Sequence, residues 1–133
     1  MAEQYLIDTN VIIDYLSGKY ETSILDWLDL QFEQGVNISV INRIEALAFQ
    51  FTDAEEHRLM HEFIAGSVVL PLNEPVADQT IQVRLETKAK LPDAIIAATA
   101  LVFNMTLLTR NTSDFKKIIN LKVLNPATIY SQS

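Results

Sequence analysis

The 133-residue chain contains no cysteine. This absence excludes a disulfide-stabilised scaffold and any metal site with thiolate ligands, and it fits a reducing compartment. The hydrophobic content of 49% is enough to build a full core without such cross-links. The length predicts one domain, 1–133, and no internal repeat, low-complexity tract or linker divides it.

The sequence also lacks the features of exported and membrane proteins. Its first four residues, Met-Ala-Glu-Gln, have neither the basic start nor the apolar stretch of a signal peptide. The charge-free segment 94–109 is sixteen residues long, short of the roughly 20 that span a bilayer. We therefore expect a cytoplasmic protein that does not bind a membrane.

Basic residues are scarce, and the net charge is −7. Such a charge argues against non-specific binding of nucleic acid over the whole surface. Residues 1–66 carry 3 basic and 12 acidic side chains (−9), whereas residues 67–133 carry 7 and 5 (+2). A local basic patch can contact a polyanion, although from charge alone an ordinary solvated surface is the simpler interpretation. Six of the ten basic residues lie between positions 88 and 122: Lys88, Lys90, Arg110, Lys116, Lys117 and Lys122.

Short apolar runs alternate with helical patterns along the whole chain. This alternation predicts an α/β fold, with a parallel sheet covered by helices on both faces. Thr9 or Asn10 is expected to cap the first helix, and Asn42 with Glu45 has the spacing of a capping box. The predicted strands are 5–7, 36–40, 68–70, 106–108 and 123–124; the predicted helices begin near 9–11, 22, 42, 53, 76 and 94.

Four acidic residues stand at positions that a solvated helix face does not explain. In a parallel sheet all four project from one edge, the carboxyl ends of the strands, where ligands bind. Each has a simpler interpretation on its own: a helix cap, half of a capping box, a favourable charge at a helix N-terminus, or a plain loop residue. The four are Asp8 after the first strand, Glu45 after the second, Asp93 at the start of the apolar helix and Asp114 after the fourth strand.

Taken together, these acids predict a metal site. Carboxylates that converge on one cleft repel one another and raise each other's pKa unless a cation neutralises them. A set of oxygen ligands without His or Cys suits Mg²⁺ or Mn²⁺. Such ions activate water and polarise phosphoryl oxygens, so the cluster predicts metal-assisted hydrolysis of a phosphodiester.

Four segments of the chain resemble the PIN domain family, specifically the VapC-type toxin ribonucleases of bacterial toxin–antitoxin pairs. Any one motif is weak, but the four in this order and spacing are specific and extend over nearly the whole chain. The segments read L-I-D-T-N-V at 6–11, I-S-V-I-N-R-I-E at 38–45, L-P-D-A-I-I-A-A-T-A at 91–100 and L-T-R-N-T-S-D-F at 108–115.

The resemblance implies a three-layer α/β/α fold with a five-stranded parallel sheet, and an Mg²⁺- or Mn²⁺-dependent endoribonuclease that cleaves RNA. It also implies a homodimer and a cognate, VapB-like antitoxin, for which the acidic cleft predicts Arg-rich contacts. Many relatives carry an acid two residues after the threonine of the last motif, where this chain has Asn111. The resemblance assigns the metal to Asp8, Glu45, Asp93 and, as the fourth acid, Asp114; it makes Thr9, Asn10 and Thr109 orienting residues, and Asn111 a further candidate for that role.

Other functions fit the sequence less well. Phosphatases that form an aspartyl-phosphate need a second Asp at the position of Asn10, and receiver domains need an acidic pair at the end of the first strand. His57 and His61 are four residues apart on a helix, but Arg58 occupies the Glu position of the H-E-x-x-H zinc motif. The remaining alternative is a degenerate PIN domain that binds RNA or protein without cleaving.

Overall fold

Five short parallel strands form the centre of the protein. The computed structural model describes residues 3–132, and side chains from residue 3 to residue 129. The strands are β1 (Tyr5–Ile7), β2 (Asn37–Ser39), β3 (Val68–Leu70), β4 (Thr106–Leu108) and β5 (Val123–Leu124). Every pairing in the sheet is parallel, and the strand order is β3-β2-β1-β4-β5.

Helices cover both faces of this sheet, because alternate residues of its central strands point to opposite sides. The helices are α1 (Thr9–Leu16), α2 (Thr22–Glu33), α3 (Val40–Ala48), α4 (Ala54–Ala65), α5 (Glu74–Glu86), α6 (Leu91–Val102), α7 (Thr112–Phe115) and a final 3₁₀ helix (Pro126–Gln132). Leu6 and Leu107 pack into a core with α5, α6 and α7, whereas Ile7 and Leu108 pack into a second core with α1 to α4. The predicted three-layer α/β/α fold with five parallel strands is confirmed.

The start of α1 is predicted correctly, whereas α3, α5 and α6 begin two to three residues before their predicted starts. Asp8, rather than Thr9 or Asn10, is the N-cap of α1, and its carboxylate accepts the Thr9 N–H. The capping box of α3 is formed by Ser39 and Asn42, so this helix begins at Val40 and leaves Glu45 in its second turn. At α1 and α3 the helix follows the strand without a connecting loop, which the apolar periodicity could not reveal.

Two further helix ends have clear caps. Gly35 follows α2 with a φ of +112°, a conformation that residues with side chains rarely adopt. Asp53 caps α4, which begins beside its predicted position. The segment after β4 was predicted as a loop but contains the short helix α7. No helix within residues 3–132 is long and apolar enough to cross a membrane.

The topology determines where a ligand would bind. From β1 the chain moves outward through β2 to β3, then returns to the other side of β1 to form β4 and β5. The strand order therefore reverses between β1 and β4. In open α/β sheets the crevice at the carboxyl ends of such strands is the usual ligand site, and Asp8 follows β1 directly at this point.

Candidate active site

Asp8 is the centre of the polar network at this edge of the sheet. The residue is only 6% exposed, yet its carboxylate accepts four hydrogen bonds. Oδ1 accepts from the Thr9 N–H at 2.9 Å and from Asn42 Nδ2 at 3.1 Å. Oδ2 accepts from Thr109 Oγ1 at 2.7 Å and from Asn10 Nδ2 at 3.2 Å. Both oxygens are therefore fixed by donors from three separate segments of the chain.

Asn42 connects this carboxylate to the start of α3. Its side chain is fully buried, and its Oδ1 accepts from the N–H and the hydroxyl of Ser39 at 3.1 and 2.7 Å. Its Nδ2 donates to Asp8 and, at 3.2 Å, to the Thr9 hydroxyl. One amide therefore both caps α3 and orients Asp8, a role that the sequence analysis missed. The available signal was its position three residues before Glu45 on the same helix face.

Thr9 orients the second acid. Its hydroxyl donates to Glu45 Oε1 at 3.0 Å, which ties the rim of α3 to the first turn of α1. Glu45 is exposed at this rim, whereas Thr9 is 8% exposed. The resemblance makes Thr9 an orienting residue, and the structure places its hydroxyl on Glu45. Glu45 takes no part in the capping box, because Asn42 forms it with Ser39.

The turn after β4 is bonded to α1 by consecutive residues. Thr109 Oγ1 donates to Asp8 and accepts from Asn10 Nδ2 at 3.3 Å and from the Asn111 N–H at 3.1 Å. The Arg110 N–H donates to Asn10 Oδ1 at 2.9 Å. These bonds place Asn10 and Thr109 beside Asp8, and they connect Asn111 to the network through its backbone.

Asp93 and Asp114 lie on the other side of the site. Asp93 is half-buried in the first turn of α6, as predicted, and Asp114 is exposed on α7. Both line one cavity of about 290 Å³. The charge of Asp114 is close enough to Asp93 to raise the pKa of its carboxyl. The fourth acid is thus placed next to the third.

The acids of the site disfavour one another's ionised forms. Burial raises the pKa of Asp8, and its hydrogen-bond donors only partly oppose this rise. Burial also raises the pKa of Glu45, where the Thr9 hydroxyl opposes it and the charges of Asp8 and Asp93 add to it. Asp93 behaves in the same way: burial, Asp8 and Asp114 raise its pKa, and Lys90 opposes them. The predicted repulsion between carboxylates therefore adds to burial at Glu45 and Asp93, whereas burial alone raises the pKa of Asp8.

In the structure the charges of Asp8 and Asp93 are close enough to Glu45 to affect its pKa. The charges of Asp8 and Asp114 are close enough to Asp93 to affect the pKa of that carboxyl. Within residues 3–132 no three His, Cys, Asp or Glu side chains are drawn together closely enough to form a preassembled metal site. The two histidines lie exposed on α4 with ring centroids 4.4 Å apart, and the described part of the chain offers them no third ligand.

These raised pKa values predict the pH dependence of stability. A carboxyl with a higher pKa in the folded state binds more protons when folded. Its contribution to stability is complete below the unfolded-state pKa of about 4 and is lost as the pH rises through the folded-state value. Without divalent cations, the melting temperature should therefore rise when the pH is lowered from about 7 to about 5. Thermal unfolding in EDTA measures this, and Asp93→Asn should flatten the slope; identical slopes in both proteins would contradict the assignment.

A fifth acid, Asp14, stabilises the same edge from inside α1. It is 5% exposed and accepts from Arg110 Nη1 at 3.0 and 2.9 Å, with Lys19 at 3.9 Å. The buried Tyr20 hydroxyl close to it finds no hydrogen-bond partner among the described residues. Sequence patterns do not separate Asp14 from the other acids of the N-terminal half, because its partner is 96 residues away.

Removal of Arg110 should destabilise the fold. Arg110→Gln leaves Asp14 buried with only the more distant Lys19, and we expect a loss of about 1–2 kcal/mol in the free energy of unfolding. Half-exposure of the arginine keeps this below the cost of breaking a fully buried pair. Urea unfolding measures the change. Arg84→Gln, on the exposed side of α5, is the control and should shift stability by less than about 0.5 kcal/mol; equal effects would exclude a special role for Arg110.

An α/β domain with carboxylates at its topological switch point belongs to the class that binds ligands, often through a cation, at the carboxyl edge of the sheet. A family model described as the PIN domain matches residues 5–120, so the chain is a member of the PIN domain family. It is 30% identical over 135 residues to Toxin FitB of Neisseria gonorrhoeae, a match that covers 91% of this chain and 96% of that protein.

Solved structures show the same likeness. The structure of FitAcB from Neisseria gonorrhoeae matches with 29% identity and a TM-score of 0.72, covering 92% of this chain and 98% of that one. DNA-bound VapBC from Salmonella typhimurium matches with a TM-score of 0.79 over 94% of this chain and 99% of that one. Its 21% identity establishes the shared fold alone.

Proposed function

We propose that this chain is an Mg²⁺- or Mn²⁺-dependent endoribonuclease, the toxin of a VapBC-type toxin–antitoxin pair. The observation that carries the proposal is the Asp8 carboxylate, bonded by donors from three chain segments and close enough to Glu45 for its charge to raise the pKa of that carboxyl. Membership of the PIN domain family and similarity to Toxin FitB over most of both chains support this function.

The donor set fits a hard divalent cation. Every candidate ligand is a carboxylate oxygen. Burial disfavours the ionised forms of Asp8, Glu45 and Asp93, neighbouring carboxylates add to this at Glu45 and Asp93, and a bound cation relieves both costs. The chemistry supplied by a cation at this site is the activation of water and the polarisation of a phosphodiester. We assign its binding to Asp8, Glu45, Asp93 and Asp114; the closeness of Asp114 to Asp93 favours it over Asn111 as the fourth acid.

The surrounding residues hold the acids in position before any ligand arrives. Asn42 and Thr109 fix one oxygen each of Asp8, and Thr9 fixes Glu45. Asn10 joins α1 to the turn after β4. Side chains held in this way lose little conformational freedom when the site is filled, which favours both binding and catalysis.

The proposal includes a protein partner. A similar solved structure from Klebsiella pneumoniae is described as a toxin–antitoxin complex, and we propose a VapB-like antitoxin and a homodimer for this chain as well. The 12 acidic residues of positions 1–66 favour an antitoxin that reaches the cleft with arginine side chains. A cytoplasmic location follows from an RNA substrate.

The second candidate function is a PIN domain that binds RNA or protein without cleavage. Binding alone does not require repelling carboxylates to be held together, so the raised pKa values of Asp8, Glu45 and Asp93 favour the nuclease.

Cleavage of total RNA with and without Mn²⁺ tests the function directly. We expect degradation that requires Mn²⁺ or Mg²⁺, stops with EDTA and is accompanied by a higher melting temperature in the presence of the ion. Mass action predicts about 2.7 kcal/mol of stabilisation at a hundredfold excess of ion over its Kd. Asp26→Asn, which removes an exposed acid from α2, should leave both effects unchanged. Ion-independent cleavage, or stabilisation without cleavage, would contradict the proposal, the latter in favour of the non-catalytic domain.

A further inference from the structure

The cavity beside Asp93 and Asp114 is lined by lysines as well as acids. It lies between the α5–α6 connection and α7, and its volume is about 290 Å³. At roughly 30 Å³ per molecule this is space for about ten waters, which admits part of a single strand and not a double helix. Its charged and hydroxyl-bearing lining includes Lys88, Lys90, Lys117, Ser113, Asp93 and Asp114.

The structure separates the basic residues of positions 88–122 into different groups. Arg110 is already bound to Asp14. Lys122 lines a different cavity, of about 640 Å³, together with residues that precede β1 and β4. Lys88, Lys90 and Lys117 line the cavity of the candidate active site, and they form no ion pair within 4.0 Å with the described part of the chain.

The segment that carries two of these lysines is held in a defined conformation. The Thr87 hydroxyl donates to the Val83 carbonyl at 2.8 Å and accepts from the Ala89 N–H at 3.1 Å. Ala89 packs against the core on this face of the sheet. The backbone between α5 and α6 is therefore fixed on both sides of Lys88, so the lysines are presented from a rigid support.

The charges around the cavity select its ligand. The chain carries a net charge of −7, so a polyanion is repelled by most of its surface and is attracted only where cations collect. Lys90 is close enough to Asp93 to oppose the rise in the pKa of that carboxyl. An anionic strand that enters this cavity meets the ammonium groups of its lining lysines, which offset the repulsion by Asp93 and Asp114.

We propose that Lys88, Lys90 and Lys117 bind successive phosphates of a single-stranded RNA on one side of the bond to be cut. The proposal rests on the proposed function, because it places the strand relative to the acids of that site. It makes the cavity a binding subsite for one arm of the substrate. Single-strand recognition follows from its size, and contacts to phosphates carry no sequence information, so these lysines contribute affinity without sequence preference.

The test is RNA binding in the absence of cleavage. Asp8→Asn is the parent protein, and a fluorescein-labelled, mixed-sequence RNA of about 12 nucleotides is the probe. In this background Lys88→Gln, Lys90→Gln and Lys117→Gln are combined. Each lost contact with a single-strand phosphate should reduce the slope of log K against log salt by about 0.7, so the triple variant should lose about 2 in slope. At about 0.1 M salt, affinity should fall at least tenfold.

The control removes the same charge elsewhere. Arg84→Gln, Lys116→Gln and Lys122→Gln are combined in the same parent, since none of these residues lines the cavity. This protein should keep a slope within about 0.7 of the parent, that is, within one phosphate contact. Thermal unfolding verifies that both triple variants fold. If the triple lysine variant does not fold, the three single lysine variants replace it, and each should lose about 0.7 in slope.

Three results would overturn the subsite. The first is equal loss of affinity and slope in the two triple variants, and the second is no RNA binding by the parent. The third is retention of RNA affinity by the triple lysine variant; loss of its binding to polyglutamate would then assign the cavity to an acidic protein partner. Failure of the nuclease function is recognised separately, by wild-type protein that leaves RNA intact with Mn²⁺, because the binding comparison does not depend on cleavage.

Discussion

Asp8→Asn should reduce RNA cleavage by about 1,000-fold or more, equivalent to about 4 kcal/mol of lost transition-state stabilisation. Asp8 is the acid on which the rest of the network converges, and the substitution removes its charge while leaving its shape nearly unchanged. Cleavage of a defined RNA with Mn²⁺, followed as kcat and KM, measures the loss. Asp26→Asn is the matched control, since it removes an equal charge from an exposed position on α2.

Asp93→Asn should abolish cleavage to a similar degree but differ in its effect on stability. No hydrogen bond from the described residues is recorded to the Asp93 side chain, whereas Asp8 accepts four. Without divalent cation, Asp93→Asn therefore relieves repulsion and should stabilise the fold by a few tenths of a kcal/mol, because solvent screens the charge of this half-exposed carboxylate. In Asp8→Asn the new amide N–H₂ faces groups that are themselves hydrogen-bond donors. This loss of hydrogen bonds should nearly cancel the gain from removing a buried charge, so the free energy of unfolding should change little. Undiminished cleavage in both variants would exclude these acids from the active site.

Asn42→Ala should destabilise the protein by about 3 kcal/mol and reduce cleavage by about a hundredfold. The substitution leaves the Ser39 N–H without its partner inside the protein and removes one donor each from Asp8 and Thr9. Buried polar groups left unsatisfied cost about 1–3 kcal/mol each. Urea unfolding gives the stability, and cleavage kinetics with Mn²⁺ give the second effect.

Asn42→Asp separates the two roles of this residue. A carboxylate keeps the acceptor for Ser39 and so retains the helix cap, but it replaces the donor to Asp8 with a second negative charge. This variant should therefore retain α3 while losing cleavage, and the raised pKa of Asp8 should rise further. An active Asn42→Asp protein would show that Asn42 serves α3 alone.

Sequence periodicity predicted the sheet and its helices because the apolar side chains of both must be buried in the core, and this burial sets the spacing of apolar residues along the chain. Tyr5–Ile7, Val68–Leu70 and Thr106–Leu108 were predicted to the residue. The start of α3 was predicted wrongly because Asn42 fits two capping boxes, with Glu45 or with Ser39. Which of them forms depends on β2 ending directly in the helix, a tertiary fact.

The residues of the candidate site that can be recognised by their type were predictable from the sequence. Residues whose role depends on contacts with distant parts of the chain were not. Asp8 and Glu45 can be recognised from the sequence alone, because each is an acid that follows a predicted strand. The roles of Asn42 and Asp14 depend on partners 34 and 96 residues away, so a single sequence contains no local sign of them. The same applies to Lys88, Lys90 and Lys117: the sequence shows a basic segment, and only the fold separates them from Arg110 and Lys122.

The donors to Asp8 come from the beginning, the first third and the last fifth of the chain, with separations as large as 101 residues. A nascent chain on the ribosome therefore has no organised site until β4 has emerged and inserted beside β1. Cutting the polypeptide anywhere between positions 42 and 109 would yield pieces of which neither holds the complete network. The proposed nuclease activity would consequently be an all-or-none property of the finished fold.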